Sequence, residues 1–388
     1  MVKVEVDFKS APDSRLEEVI KRSPLSNSSP MHFSWHHFSP RLVLTSSSPD
    51  FDPTSISHWK EEGFAVVYLP YDGDTKAYRN SLQHLADPLE LGDKYAIVAY
   101  GEAASLCLEA CMKPMPKLCA IVAYYPTRLP TASTAFPPSL LVQVHIASSQ
   151  NFGSRHPSYT YPDTAPGFAE HDAEQYDKTG SRLAWSRSLG LMRRGFGINV
   201  DLEAIWENHT ALEFAAKNAE ATMQTMVAEP YVNHVPTMTG GIGYNDLKKF
   251  YAEFFIPGNP PDMKMKLLSR TVGTDRVVDE LFTSFTHTKE VPWMLPGVPA
   301  TGKRVDIIIV AVVCIRGQKL YHEHIHWDQA SVLVQVGLLD PLLVPATFKT
   351  AKEGAEKEVA ELPVVGSEGA LKVVDEENGE SNLLIPDW

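Results

Sequence analysis

Three histidines, a glutamate and an aspartate fall within His322-Glu323-His324-Ile325-His326-Trp327-Asp328. Imidazole titrates near neutral pH and a desolvated carboxylate can be brought toward it, so this mixture suits proton transfer. Read as a strand, period 2 places His322, His324, His326 and Asp328 on one face, with Tyr321, Glu323, Ile325 and Trp327 on the other. Which face lines a pocket decides the chemistry. Metal binding is the rival use, because His-x-His on a strand brings two side chains about 7 Å apart at the backbone, with His234 or His287 as a third ligand. Proton chemistry needs fewer coincidences, so the expectation is a site without metal or cofactor.

The elements around this stretch must position it. A turn at Arg316-Gly317 precedes it, and the apolar strand Val305–Ile315 precedes the turn. Further upstream, Leu202, Ile205, Trp206, His209, Leu212, Phe214, Ala215, Ala219, Met223 and Met226 recur at three and four, one face of a long helix against a core. Glu207, His209 and Glu213 on that helix read as solvated. Pro230 ends the helix, and a loop then carries Asn233 and His234. Strand-like runs 264–270 and 276–286 follow, the second with His287 continuing one of its faces, and a loop carries Trp293. Helices followed by long strands separated by turns predict an α+β unit, a curved antiparallel sheet wrapped round helices, over residues 203–343.

The first half has a different rhythm. After an extension over residues 1–40, Ser- and Pro-rich and bearing the cluster Met31-His32-Phe33-Ser34-Trp35-His36-His37-Phe38, short apolar runs alternate with helical stretches from 41 to 195. The runs are 42–44, 65–68, 96–100, 119–124 and 140–146, with helices near 75–86 and 103–112. Buried strands alternating with helices predict an α/β domain, its mostly parallel sheet covered on both faces. The 31–38 cluster reads as a loop or edge strand.

Composition narrows the partners. Apolar residues at 44% and charged ones at 21% describe a globular chain. A formal net charge of −13 argues against nucleic acid and anionic membrane, which need basic patches. The four cysteines lack metal-type spacing and read as buried thiols of a reducing compartment. MVKVEVDFKS has no apolar signal segment, so a cytoplasmic protein is expected. The tail, 347–388, is acidic but ends in Leu383-Leu384-Ile385-Pro386-Asp387-Trp388, which predicts docking on one of the domains.

Two resemblances add to this reading. EEGFAVVYLPY, YAIVAYGEAASLCLEA, LCAIVAYYPT and YTYPDTAPGF with AWSRSLGL resemble the dienelactone hydrolase branch of the α/β-hydrolases, over about 150 residues. That family places a nucleophile on a strand-to-helix elbow, an Asp after a later strand and a His before Gly-Phe. Here Ala103 falls at the nucleophile position, Ala147-Ser148-Ser149-Gln150 offers no carboxylate, and Pro166 replaces the histidine. The resemblance therefore implies a degenerate, inactive scaffold. Rescue by Ser105 with His171 and Asp163 is the alternative, which would leave a lactone or ester hydrolase with displaced residues.

The second half resembles the SnoaL-like branch of the NTF2-like fold. The matching residues are Tyr231-Val232-Asn233-His234-Val235-Pro236, Phe285-Thr286-His287, Pro299-Ala300-Thr301-Gly302-Lys303, Gly317-Gln318-Lys319, His326-Trp327-Asp328 and Leu333-Val334-Gln335-Val336-Gly337. The resemblance implies a cone-shaped α+β fold whose general acid/base is a carboxylate at Asp328. His326 then pairs with Asp328, and His324 and His234 orient or donate to the substrate oxygen. His287, Trp293, Asn233 and His322 complete the pocket. The opposite facing makes Glu323 the desolvated acid and stays open. The implied chemistry is cyclisation, isomerisation, dehydration or ring opening on a small, mainly apolar oxygenated molecule, polyketide- or terpenoid-like, in a homodimer paired through the sheet's other face. A catalytically silent ligand-binding or scaffold protein is the alternative from another class.

Overall fold

The structure is a computed structural model that describes residues 39–130, 135–152, 158–345, 361–385 and 388. The 31–38 cluster and residues 346–360 and 386–387 lie outside the described residues. The chain divides into two compact units, one ending at Val200 and the other beginning at Asp201.

In the first unit six strands lie in the order β2-β1-β3-β4-β5-β6: β1 (Arg41–Ser46), β2 (Ala65–Pro70), β3 (Tyr95–Tyr100), β4 (Leu118–Tyr124), β5 (Leu141–Ala147) and β6 (Tyr159–Tyr161). Every pairing is parallel, as the alternating apolar runs predict. Alternate β1 side chains feed opposite layers: Leu42 and Leu44 pack with Trp59 and Met192, and Val43 packs with Tyr78 and Leu106. Four helices cover the sheet: α1 (Pro53–Glu61), α2 (Thr75–Gln83), α3 (Gly101–Ala110) and α4 (Lys178–Phe196). Asp52, Asp74 and Asp177 cap α1, α2 and α4 by accepting backbone N–H bonds.

The corner from β3 into α3 falls on Gly101, not on Ala103. Gly101 has φ 58 and space where a Cβ would stand, whereas Ala103 is wholly buried inside the helix. The turn itself thus carries no side chain. Ser105 is buried with its hydroxyl on Thr127 (3.1 Å), and it accepts the Arg128 N–H (3.1 Å). His171 instead bonds Asp52, with Nδ1 2.7 Å from Oδ2. These bonds commit Ser105 and His171 to different partners, so the rescue set is not assembled by hydrogen bonding.

The second unit opens with α5 (Leu202–Thr210), a π-helical turn (Ala211–Ala215) and α6 (Ala219–Gln224). Its sheet has the order β8-β7-β12-β11-β10-β9: β7 (Met226–His234), β8 (Thr239–Ile242), β9 (Lys264–Val272), β10 (Arg276–Thr286), β11 (Arg304–Arg316) and β12 (Lys319–Trp327). The sheet is mixed rather than purely antiparallel, because β7 and β12 pair in parallel. Those two strands come from opposite ends of the unit, and no hairpin dictates their direction. Also in this unit are α7 (Tyr244–Lys249), a second π-helical turn (Phe250–Phe255), α8 (Gln329–Val336) and α9 (Glu368–Val374). Of the tail, α9 contacts β11 and buries Ala370, whereas Leu383, Ile385 and Trp388 are exposed.

Register decides the facing. Glu323 lies opposite Val313, and Val313 opposite Val277. Ile325 pairs with Ala311 and His234, and Ala311 with Asp279. This row of buried side chains meets the helices. The ladder between β11 and β12 slips beside Tyr321, so strict alternation begins only at His322.

Candidate active site

The convergent titratable group of this unit is built from two helical turns and one strand. Asp201 caps α5 by accepting the Ala204 N–H at 3.0 Å. One face of α5 then carries Trp206 and His209 inward, and Glu213 follows four residues after His209 within the π-helical turn. From β12, Glu323 projects against them. His209 Nε2 lies 3.0 Å from Glu213 Oε1 and 3.3 Å from Glu323 Oε1. On its other edge His209 Nδ1 donates to Thr225 Oγ1 at 2.6 Å, and that hydroxyl donates onward to the Thr222 carbonyl at 2.6 Å. The chain of donors leaves Nε2 as the edge that faces both carboxylates. Tyr251 adds its hydroxyl, 3.4 Å from Glu323 Oε1.

All three titratable groups are at most 4% exposed, so their interactions are weakly screened. Burial alone would push the His209 pKa down, but the neighbouring Glu213 and Glu323 carboxylates outweigh it and lift it to about 10. Burial raises the Glu213 carboxyl against the opposing pull of His209, and Glu323 adds to the rise. Burial, then the two carboxylates, hold the Tyr251 phenol well above its usual pKa, so it stays a donor. His209 therefore keeps its proton at neutral pH. With both carboxylates ionised the cluster would hold one excess negative charge, and the raised Glu213 pKa is the response to it. The three ligand atoms lie within 4.8 Å of one another, so His209, Glu213 and Glu323 are also the residues that could hold a divalent cation.

The expected histidine face is turned the other way. Asp328 is exposed and caps α8, accepting the Ala330 N–H (3.0 Å) and the Ser331 hydroxyl (2.5 Å). His326 is exposed as well, and His324 is half-buried beside Tyr231, with Asn233 opposite it in register. His322 is buried on that outer side and stacks on His324 at 4.6 Å. The physical reason is the company each face keeps. Burying Ile325 and Trp327 returns roughly 1.5–3 kcal/mol each, whereas turning the row inward would desolvate the His324 and His326 imidazoles, which now meet solvent. Glu323 goes inward with the apolar residues because His209 and Tyr251 meet it there.

His234 and Trp293 are brought together, their rings 5.2 Å apart, with Phe250, Phe255 and Trp327 around His234. Burial pushes the His234 pKa down to about 4. His287 stands apart from this group at the end of β10: Nδ1 contacts the Thr301 hydroxyl at 3.0 Å, and burial lowers its pKa. Sequence reasoning missed His209 and Glu213. The signal was present, since His209 shares the apolar stripe with Trp206 and Glu213 follows it at i+4.

No family model and no curated protein matches the chain. Solved structures do. TsrD from Streptomyces laurentii is 15% identical over 36% of this chain and 100% of that chain, with a TM-score of 0.30. A polyketide cyclase from Acidithiobacillus ferrooxidans is 20% identical over 37% of this chain and 99% of its own, also at 0.30. A SnoaL-like polyketide cyclase from Jannaschia is 15% identical over 37% and 98%, at 0.29. Among the described residues, no helix is long and apolar enough to cross a membrane.

Proposed function

We propose that the second unit is an acid/base enzyme of the isomerase or cyclase type, acting through His209, Glu213, Glu323 and Tyr251. The observation that carries this reading is the placement of His209 Nε2 3.0 and 3.3 Å from two buried carboxylate oxygens. In this reading the carboxylate pair removes a proton from carbon beside a carbonyl, with Glu213 suited to the task because its raised pKa lies nearer neutrality. Tyr251 then donates a hydrogen bond to the enolate oxygen, the His209 imidazolium offsets the negative charge from its place between the two carboxylates, and the proton returns at another carbon. The substrate is a small, mainly apolar oxygenated molecule such as a polyketide- or terpenoid-like metabolite. The first unit, with Gly101 at its strand-to-helix corner, serves as scaffold, and two copies pair through the outer face that bears His324 and His326.

The test is conversion of a small cyclic β,γ-unsaturated ketone in deuterated water, followed by conjugated-enone absorbance and deuterium uptake. Wild-type protein should exceed buffer catalysis, and Glu323→Gln and His209→Asn should each lose most of that excess. Equal rates for the wild type and these variants would sink the reading.

A further inference from the structure

We propose that Thr225 is a positioning residue for the buried acid/base group, its hydroxyl fixing which edge of His209 faces Glu213 and Glu323. Thr225 follows α6, a short helix that Asn218 caps by accepting the Ala221 N–H at 3.0 Å. Its hydroxyl proton is committed, because Oγ1 lies 2.6 Å from the Thr222 carbonyl oxygen, which can only accept. Toward His209 the same oxygen is therefore an acceptor, and the 2.6 Å contact with Nδ1 puts a proton on that nitrogen.

Stacking alone does not choose the edge. His209 lies on Trp206 with centroids 5.7 Å and planes 18° apart, and the Trp206 indole N–H donates to Asp279 at 2.7 Å. That contact fixes the plane of the imidazole. A half-turn about Cβ–Cγ keeps the same plane and carries Nε2 away from the carboxylates. The carboxylates hold Nε2 from the other side, but one that takes a proton from substrate loses its charge and much of its pull. Thr225 keeps the same hydrogen bond through such a step.

Thr225 also links the two elements that the site joins. Its carbonyl accepts the Leu320 N–H at 3.0 Å, and Met226, next in the chain, pairs with Leu320. Leu320 stands just before the slip at Tyr321, past which β12 turns Glu323 inward. One residue thus holds His209 by its side chain and, by its backbone, the strand that carries Glu323 three positions on. A residue that merely ended α6 would need only its bonds to Thr222. The inference rests on the acid/base reading for its effect on rate, whereas the orientation of the ring is a separate quantity.

The experiment compares wild type, Thr225→Val and Thr225→Ser as full chains. Valine keeps the side chain's shape and the backbone bonds and removes the hydroxyl, whereas serine keeps the hydroxyl. In the ketone conversion, Thr225→Val should lose about tenfold or more in kcat with KM changed by less than about twofold, and Thr225→Ser should retain about a third or more of the wild-type kcat. By proton NMR, His209 Nδ1–H should give a solvent-protected resonance in wild type and Thr225→Ser that is lost in Thr225→Val. If Thr225→Val does not fold, wild type decides alone, through a cross-peak between that N–H and the Thr225 methyl group. A wild-type kcat in Thr225→Val, a loss that Thr225→Ser shares, or a wild-type His209 without a protected Nδ1–H would each overturn the proposal. Wild-type conversion no faster than buffer defeats the acid/base reading, and the resonance then decides the role of Thr225. Conversion that Thr225→Val leaves unchanged defeats the positioning role and keeps the acid/base reading.

Discussion

His209 Nε2 lies 3.3 Å from Glu323 Oε1, joining the second unit's first helix to its last strand through one charged contact in the interior. Removing the imidazole would strand two buried carboxylates, and breaking a buried ion pair by deleting one partner costs about 3–5 kcal/mol. His209→Ala should therefore lose that much by urea denaturation. Adding Glu213→Gln and Glu323→Gln to it should restore part of the loss by removing the unpaired charges. A His209→Ala variant as stable as wild type would show the contact to be weak.

The same cluster fixes the sign of a pH effect. His209 titrates near 10 in the folded chain against about 6.5 unfolded. Its contribution to stability is therefore fully present below about 6.5 and is lost as pH rises through 10. His234 runs the other way: its pKa near 4 makes its contribution complete above 6.5 and lost as pH falls toward 4, by up to about 3 kcal/mol. Denaturation midpoints measured from pH 4 to 10 should fall at both ends. His209→Asn should flatten the alkaline limb and His234→Phe the acid limb.

Glu323, buried on β12, and Asp328, exposed just past its end, provide a direct contrast. Asp328→Ala should cost about 1 kcal/mol through the lost helix cap and leave ketone exchange unchanged. Glu323→Gln should do the opposite, sparing most of the stability and losing the exchange. Identical exchange losses in both variants would return Asp328 to the site.

What the sequence made legible follows from which forces act locally. The parallel strands of the first unit could be read because β3 and β4, buried throughout, are continuous apolar runs. The facing of β12 could not be settled, because period 2 divides the residues into two sets without saying which set meets the helices. His209 and Glu213 looked like solvated positions because their partner Glu323 arrives from a distant strand. The parallel pairing of β7 with β12 is equally nonlocal.

Gly101 offers a prediction of a different kind. At φ 58 any L residue with a Cβ is strained, by roughly 1 kcal/mol or more, although the space around the Cβ position is open. Gly101→Ala should be destabilised by about that amount through backbone strain alone. By contrast, Gly195 would place a Cβ 3.0 Å from the Ala120 Cβ and 3.3 Å from the Cys119 sulfur, so Gly195→Ala should be destabilised through packing.

A last prediction separates proton from metal in the buried cluster. A divalent cation on His209, Glu213 and Glu323 must displace the imidazole proton, and a neutral imidazole with two carboxylates would match its charge. Protons held as tightly as the His209 pKa near 10 implies compete strongly at neutral pH. Chelator treatment should therefore leave the melting temperature and the ketone exchange unchanged at pH 7, and elemental analysis should find no stoichiometric zinc or manganese. A melting temperature that drops with chelator in wild type but not in Glu323→Gln would make the cluster a metal centre. The exchange chemistry would then be sought through a bound water rather than through the carboxylates.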